Sequence, residues 1–341
     1  MSPENSLDDL DLRLIHAVKL APRAAWSALA PVIGVDAATL ARRWAKLTER
    51  GQVYVTGYGT LGTPFTVAVA EVQCKPGRAH EVARQLAQDS EALTINLTAG
   101  ARDILVTVAA PDLEALSMYV LRDMGGLEDA TSVRTTVVTS MMTDARPWTP
   151  RALSPAEQAR VAALQPAIPV NARRQPLDVE RAVIAQLNHD GRAPIATIAR
   201  RTGFSQKRVH DAIAGLQSAG LLSVRVDVAR TLTAWPHYVW YSFRVPAERA
   251  TAVAEALTNV EEVRSVLLTL GESNIMISAW LRTLADAQRF EVMVSTRIPD
   301  LVVIDRSLVI GSVKHYGHIL TGTGFATGQT IAHRLPEPLD G

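Results

Sequence analysis

The chain has 341 residues, 48% of them hydrophobic and 20% charged, with a formal net charge of +1 at pH 7. That length supports roughly two to four small cores, and the composition excludes collagen-like and intrinsically disordered chains. The single cysteine, Cys74, excludes an internal disulfide and cysteine-rich metal knuckles, and it fits a reducing cytoplasmic setting. The opening MSPENSLDDLD lacks the basic and apolar regions of a signal peptide, and no run approaches a membrane-spanning length, so no membrane association is expected.

Residues 8–53 read as three short helices. Leu10, Leu14, Ile15 and Val18 share one face at helical spacing. After a break at 23–25, Trp26, Leu29, Ala30 and Ile33 form a second apolar stripe. Gly34 allows a tight turn, Asp36 is the expected N-cap, and Leu40, Trp44 and Leu47 continue the pattern until Gly51 stops it. The period then changes from helical to alternating. It predicts a strand over 64–74, a helix over 77–88, strands over 92–99 and 103–109, a helix over 112–124 and a strand over 130–142. That order is β-α-β-β-α-β, the ferredoxin-like arrangement.

Pro147, Pro150, Pro155, Pro166, Pro169 and Pro176 mark a linker with one short helix over 154–164. Beyond it the chain repeats itself. Gly34 falls on Gly203 (203 − 34 = 169), and the same offset lays Asp9 on Asp178, Ile15 on Ile184, Arg23 on Arg192, Ala30 on Ala199, Leu47 on Leu216 and Gly51 on Gly220. An ungapped repeat of roughly 50 residues marks duplication of a folded unit. Val179, Val183, Ile184 and Leu187 form its first stripe and Ile195, Ile198 and Ala199 the second. Ser205 caps a third helix built on Val209, Ile213 and Leu216. Val239, Tyr241, Phe243 and Val245 open a second β-α-β-β-α-β set, with helices over 247–258 and 284–297 and strands over 261–270, 273–281 and 301–314.

The expected architecture is therefore α+β. Two winged-helix-like helix-turn-helix units, at 7–56 and 176–226, alternate with two ferredoxin-like domains at 62–143 and 235–316. A Pro-rich linker at 144–175 joins the halves, and 317–341 reads as a flexible tail.

Helix, glycine turn, helix is the sequence form of a DNA-reading element, with a three-helix packing module as the plain alternative. In the first copy Thr39, Arg42, Arg43 and Lys46 lie at or off the end of the buried face. Arginine serves such a helix either as a bidentate reader of guanine or as a phosphate contact. The second copy has Asp211, Ala212 and Gly215 at the positions of Arg42, Arg43 and Lys46. Its candidates are instead Gln206, Lys207, Arg208 and His210, so the two heads are expected to differ.

LDDLDLRLIHAV, IGVDAATLARRWAKLTERG and the trailing β-α-β-β-α-β segment resemble the leucine-responsive/asparagine (Lrp/AsnC) transcriptional regulators, and 177–224 with 237–314 resemble them again. The tandem-duplicated members are the nearest likeness. The resemblance implies double-stranded DNA as partner, a sheet (RAM) domain that pairs subunits into a homo-oligomer, and a small effector such as an amino acid. It places the effector at the loops Gly100, Ala101, Arg102, Asp103 and Gly271, Glu272, Ser273, Asn274, which otherwise read as plain hairpin turns. Thr135, Thr136 and Ser307 are secondary candidates, and Glu71 and Arg244 are expected to face solvent or pair across an interface. His315 and His318 lack companion ligands, so neither a metal nor a cofactor is expected. No enzyme motif is present. The competing readings are a sirohaem-decarboxylase-like enzyme, which resembles the same family in both halves, and an architectural DNA organiser without effector.

Overall fold

The computed structural model describes residues 6–59, 65–165, 172–333 and 335. The expected domain start at 62–64, Pro166 and Pro169 of the linker, and 334 and 336–341 of the tail lie outside them. In chain order, α1 (Asp9–Leu20), α2 (Trp26–Ile33), α3 (Ala37–Glu49) and β1 (Val53–Gly59) come first. Then follow β2 (Thr66–Cys74), α4 (Ala79–Leu86), β3 (Ala92–Ala99), β4 (Ile104–Ala110), α5 (Leu113–Met118, continued by a π-helical turn Tyr119–Met124) and β5 (Ala130–Thr143). After α6 (Pro155–Ala162) the order returns as α7 (Leu177–His189), α8 (Ile195–Thr202), α9 (Gln206–Ser218) and β6 (Leu222–Val228). It continues as β7 (His237–Arg244), α10 (Ala250–Thr258), β8 (Val263–Leu270), β9 (Ile275–Leu281), α11 (Asp286–Arg297) and β10 (Val302–His315). Last come β11 (His318–Leu320) and β12 (Ala326–Thr330).

Two compact units cut across this order. One gathers the helical segments of both copies (Met1–Pro64, Thr149–Leu232, Phe325–Gly341), and the other gathers the sheet segments (Phe65–Trp148, Thr233–Gly324).

In the helical unit, β1 and β6 pair antiparallel from Val53↔Val228 to Gly59↔Leu222. Neither strand is among the elements expected from the period. Gly57 is there for packing: a Cβ on it would lie 2.5 Å from the Leu187 Cβ on α7. The two copies also exchange matched arginines. Arg23 donates to the carbonyls of Gly191 and Ala193, while Arg192 donates to those of Pro22 and Ala24. Burial lowers the pKa of both guanidiniums, and Arg192 also lies 4.0 Å from the Trp26 ring centroid.

In the sheet unit, β3-β4-β2-β5 is the ferredoxin-like strand order, and β8-β9-β7-β10 repeats it. Cross-pairing of β5 with β8 and of β10 with β3 closes a ring through the described strands. Each half covers its outer face with its own helices, packing Val72, Leu86 and Val106 in one and Phe243, Leu257 and Phe290 in the other. A smaller core of Val69, Leu105, Trp240, Leu267, Met276 and Val309 joins side chains of both halves. The two four-stranded sets thus pair within one chain, and closure removes their edges.

The expectation of a flexible tail is corrected for the described residues. Tyr316 and Gly317 both take positive φ (44° and 86°), which makes a two-residue hairpin joining β10 to β11. Further on, Ala326 N donates to Gly51 O (2.9 Å), and the His333 ring lies 4.6 Å from that of Tyr58. These backbone and ring contacts hold 325–333 on the helical unit.

Candidate nucleic-acid interface and effector loops

The first helix pair is set by local chemistry. Gly34 takes the left-handed conformation that ends α2, and the Asp36 carboxylate accepts from Thr39 N (2.8 Å) to start α3. Leu40, Trp44 and Leu47 are buried, so helical geometry pushes Arg42 and Lys46 outward, and both are exposed. Thr39 is half-buried at the first turn. Arg43 differs from its neighbours: its guanidinium donates to Asp8 (2.6 Å) and Asp11 (2.9 Å), the capping-box residues of α1. It clamps α1 to α3. A side chain held there is less available to DNA than Arg42 and Lys46.

The matched site on α9 is built differently. Gly203 and Ser205 repeat the turn and the cap. Gln206, Lys207, Arg208 and His210 are exposed at the helix start. Asp211 holds Lys207 (2.6 Å) and faces His210 Nδ1 (3.4 Å), and the Lys207 bond lowers its carboxyl pKa. Arg208 lies 5.0 Å from the Phe204 ring centroid. Ala212 and Gly215, at the positions of Arg43 and Lys46, are buried, and a Cβ on Gly215 would meet Arg173 O at 2.8 Å. The linker therefore lies across this face of α9. Arg174 from the same linker donates to Glu180, the residue matched with Asp11, and Glu180 is 1% exposed. An arginine from outside the helix has taken the place of the one inside it.

The other end of the linker rests on the first copy. Arg13 pairs with Glu157 of α6 (2.7 Å), whose carboxyl the bonds to Ser154 and Arg13 hold down at about 2. Leu153 N donates to the Nδ1 of His16, a buried imidazole whose pKa burial lowers.

The two candidate effector loops are pinned alike at an offset of 171 (271 − 100 = 171). Thr98 Oγ1 donates to Arg102 O and Thr269 Oγ1 to Ser273 O, each at 2.9 Å. Asp103 accepts from Cys74 N (2.7 Å), and Asn274 exchanges two bonds with the Val245 backbone. These two side chains thus tie each loop to the neighbouring strand. Gln73 donates to Ala101 O, and Arg244 likewise donates to Glu272 O. Gly100, Gly271 and Glu272 are exposed and Ser273 is buried.

Arg102 does not project from its loop. Its side chain, 5% exposed, bonds Asp305 (2.6 Å) and Ser307 (2.9 Å) of β10 and lies 3.0 Å from Glu71. Burial pushes the Glu71 carboxyl pKa up even so. Glu71, expected to face solvent or to pair across an interface, meets Arg102, and the effector candidate Arg102 is itself enclosed: a buried guanidinium needs these partners. Surface depressions of about 500 Å³ beside Met141 and about 290 Å³ beside Trp235 and Phe290 are lined by other residues. His315 and His318 face each other across the β10–β11 hairpin. Among the described residues no helix is long and apolar enough to cross a membrane.

Comparison with known proteins adds an independent line. The AsnC-type helix-turn-helix domain matches residues 7–48, and the Lrp/AsnC ligand binding domain matches 67–148. Over 140 residues the chain is 30% identical to an uncharacterised HTH-type transcriptional regulator of Pyrococcus furiosus, covering 40% of this chain and 93% of that one. The HTH-type regulator AldR of Mycolicibacterium smegmatis is 25% identical over 149 residues, 41% of this chain and 86% of its own. The crystal structure of the siroheme decarboxylase NirDL shares the fold, with TM-score 0.57 at 14% identity, over 90% of this chain and 93% of that one.

Proposed function

Since the chain belongs to the Lrp/AsnC family, we propose that it is a cytoplasmic DNA-binding transcriptional regulator with two non-equivalent helix-turn-helix heads and two effector-type sheet domains in one polypeptide. It answers to a small metabolite, an amino acid or a close relative. The observation that carries this reading is the surface of α3, where Arg42 and Lys46 stand exposed on a capped helix behind a glycine turn. The α3 head reads bases. The α9 head, its later turns under the linker, holds phosphates through Lys207, Arg208 and the start of its helix.

Binding of one promoter fragment tests this. Arg42→Ala/Lys46→Ala should weaken binding about tenfold or more and relax sequence preference, since a bidentate base contact discriminates by about 1–3 kcal/mol. Lys207→Ala/Arg208→Ala should weaken all sequences alike and flatten the salt dependence by roughly one to two units of slope. Equal losses with equal slopes would overturn the asymmetry.

Self-association through the sheet domains is part of this reading. It is supported by exposed apolar residues at matched positions on or just before the helices, Leu113 with Leu284 and Leu121 with Val292. A single-chain mass in sedimentation would remove it.

The fold shared with the siroheme decarboxylase keeps an enzyme as the second reading. The packed core of Trp240, Leu267 and Met276 between the sheets favours the regulator. A Soret band in purified protein, or on adding sirohaem, would reverse that preference.

A further inference from the structure

The two effector loops meet the sheet in the same way but differ in what fills them. A Cβ on Gly100 would lie 3.5 Å from Ser307 Oγ, and one on Gly271 would lie 3.3 Å from the matched Thr136 side chain. Around this shared frame, Arg102 is replaced by Ser273, Glu71 by Ser242 and Asp305 by Arg134. The geometry points to Arg102 as a built-in occupant of the first loop site, so that one chain takes one amino-acid effector, at the second loop. This rests on the effector reading above.

At the first loop the guanidinium is already matched to two carboxylates and a hydroxyl, at 2.6 Å from Asp305, 3.0 Å from Glu71 and 2.9 Å from Ser307. Charge-assisted contacts of this kind, one to each carboxylate, are what a ligand cation would make there. The site is closed by its own side chain. At the second loop the long side chain is shortened to a hydroxyl, and the carboxylate of Asp305 gives way to the exposed cation Arg134. The sign of the site is inverted, from an excess of carboxylate to an excess of guanidinium.

A carboxylate is the complement of Arg134, and the hydroxyl residues Ser242, Ser273 and Thr136 stand at the positions matched to Glu71, Arg102 and Ser307. Glu272, exposed on the same loop, is the anion available to an ammonium group. Together these select a zwitterion. Arg134 also stands opposite Glu71 in the β2–β5 register, so charge arriving at the second loop is felt by the residue that holds Arg102.

Equilibrium dialysis of the full chain against an equimolar mixture of the twenty L-amino acids, with amino-acid analysis of what is retained, tests this. The unmodified chain should retain about one equivalent in total. Ser273→Arg/Arg134→Asp, which copies the first site into the second, should retain less than a tenth of that. Arg102→Ser/Asp305→Arg, which empties the first, should keep or double it. Two equivalents in the unmodified chain, or undiminished retention by Ser273→Arg/Arg134→Asp, overturns the proposal. No retention at all overturns the effector reading beneath it. Thermal unfolding separates the two failures. Arg102→Met should lower the midpoint and Arg134→Met should not; equal midpoints reject the built-in occupant whatever is retained.

Discussion

Helices α3 and α9 turn Leu40, Trp44 and Leu47, and Val209, Ile213 and Leu216, inward at matched positions. On their outer sides Arg42, Arg43 and Lys46 stand against Asp211, Ala212 and Gly215. The difference is a coordinated one. Where Ala212 stands at the position matched to Arg43, the buried Glu180 is met by Arg174 from the linker, and Gly215, at the position matched to Lys46, leaves room for the linker backbone. Two matched helices can keep the same buried face while their other faces are built around whatever segment passes over them.

The largest expected effect is on the transplanted ion pair. Arg174→Ala strands Glu180, 1% exposed, without its guanidinium and should cost about 3 kcal/mol in urea unfolding. A cost below that of Arg43→Ala would mean that the linker contact is incidental.

The sheet unit offers the next contrast. Lys314 is 1% exposed, with Nζ donating to Asp89 O, and burial brings its pKa down to about 8. Its counterpart is Thr143. A lowered lysine pKa means that the folded chain holds fewer protons than the unfolded one between the two values. Stability should therefore rise by roughly 2 kcal/mol from pH 8 to 10 and be lost again as pH falls through about 8. Lys314→Met should abolish that slope, and Thr143→Val should leave it.

Exchanging the third pair of matched residues sharpens the comparison further. Gly215→Lys places a Cβ 2.8 Å from Arg173 O and should cost about 1–2 kcal/mol as the linker shifts. The reciprocal Lys46→Gly should cost about 1 kcal/mol from helix propensity alone. Smallest of all, Arg43→Ala breaks two partly exposed pairs, to Asp8 and Asp11, and should cost about 0.5 kcal/mol. A larger loss would make Arg43 as structural as Arg174.

Much of this was legible in the chain. The helices, the glycine turns, the caps Asp36 and Ser205 and the strand order follow from periodicity and local hydrogen bonding. Strands β1 and β6 were not among the expected elements; Gly57 of β1 carries no side chain where α7 approaches closely. The hairpin at 316–317 escaped because Tyr316-Gly317 lies in a Gly/Thr-rich stretch that looked unstructured. Among the candidate site residues, exposure of Arg42 and Lys46 was readable from the helical period. The capture of Arg43 by Asp8 and Asp11, and of Arg102 by Glu71 and Asp305, joins residues far apart in the chain. No local pattern encodes that.

Period and capping act within one or two helical turns or strands, so the sequence alone determined most of the elements and which of their faces are buried. Closure of the sheet through β5–β8 and β10–β3 was left to tertiary structure, as were the arginine exchange between Arg23 and Arg192 and the linker's place on α9. The sheet closure and the arginine exchange depend on partners more than 100 residues apart, and the linker contact on partners 42 apart (215 − 173 = 42); their desolvation and charge matching exist only once the chain has brought them together.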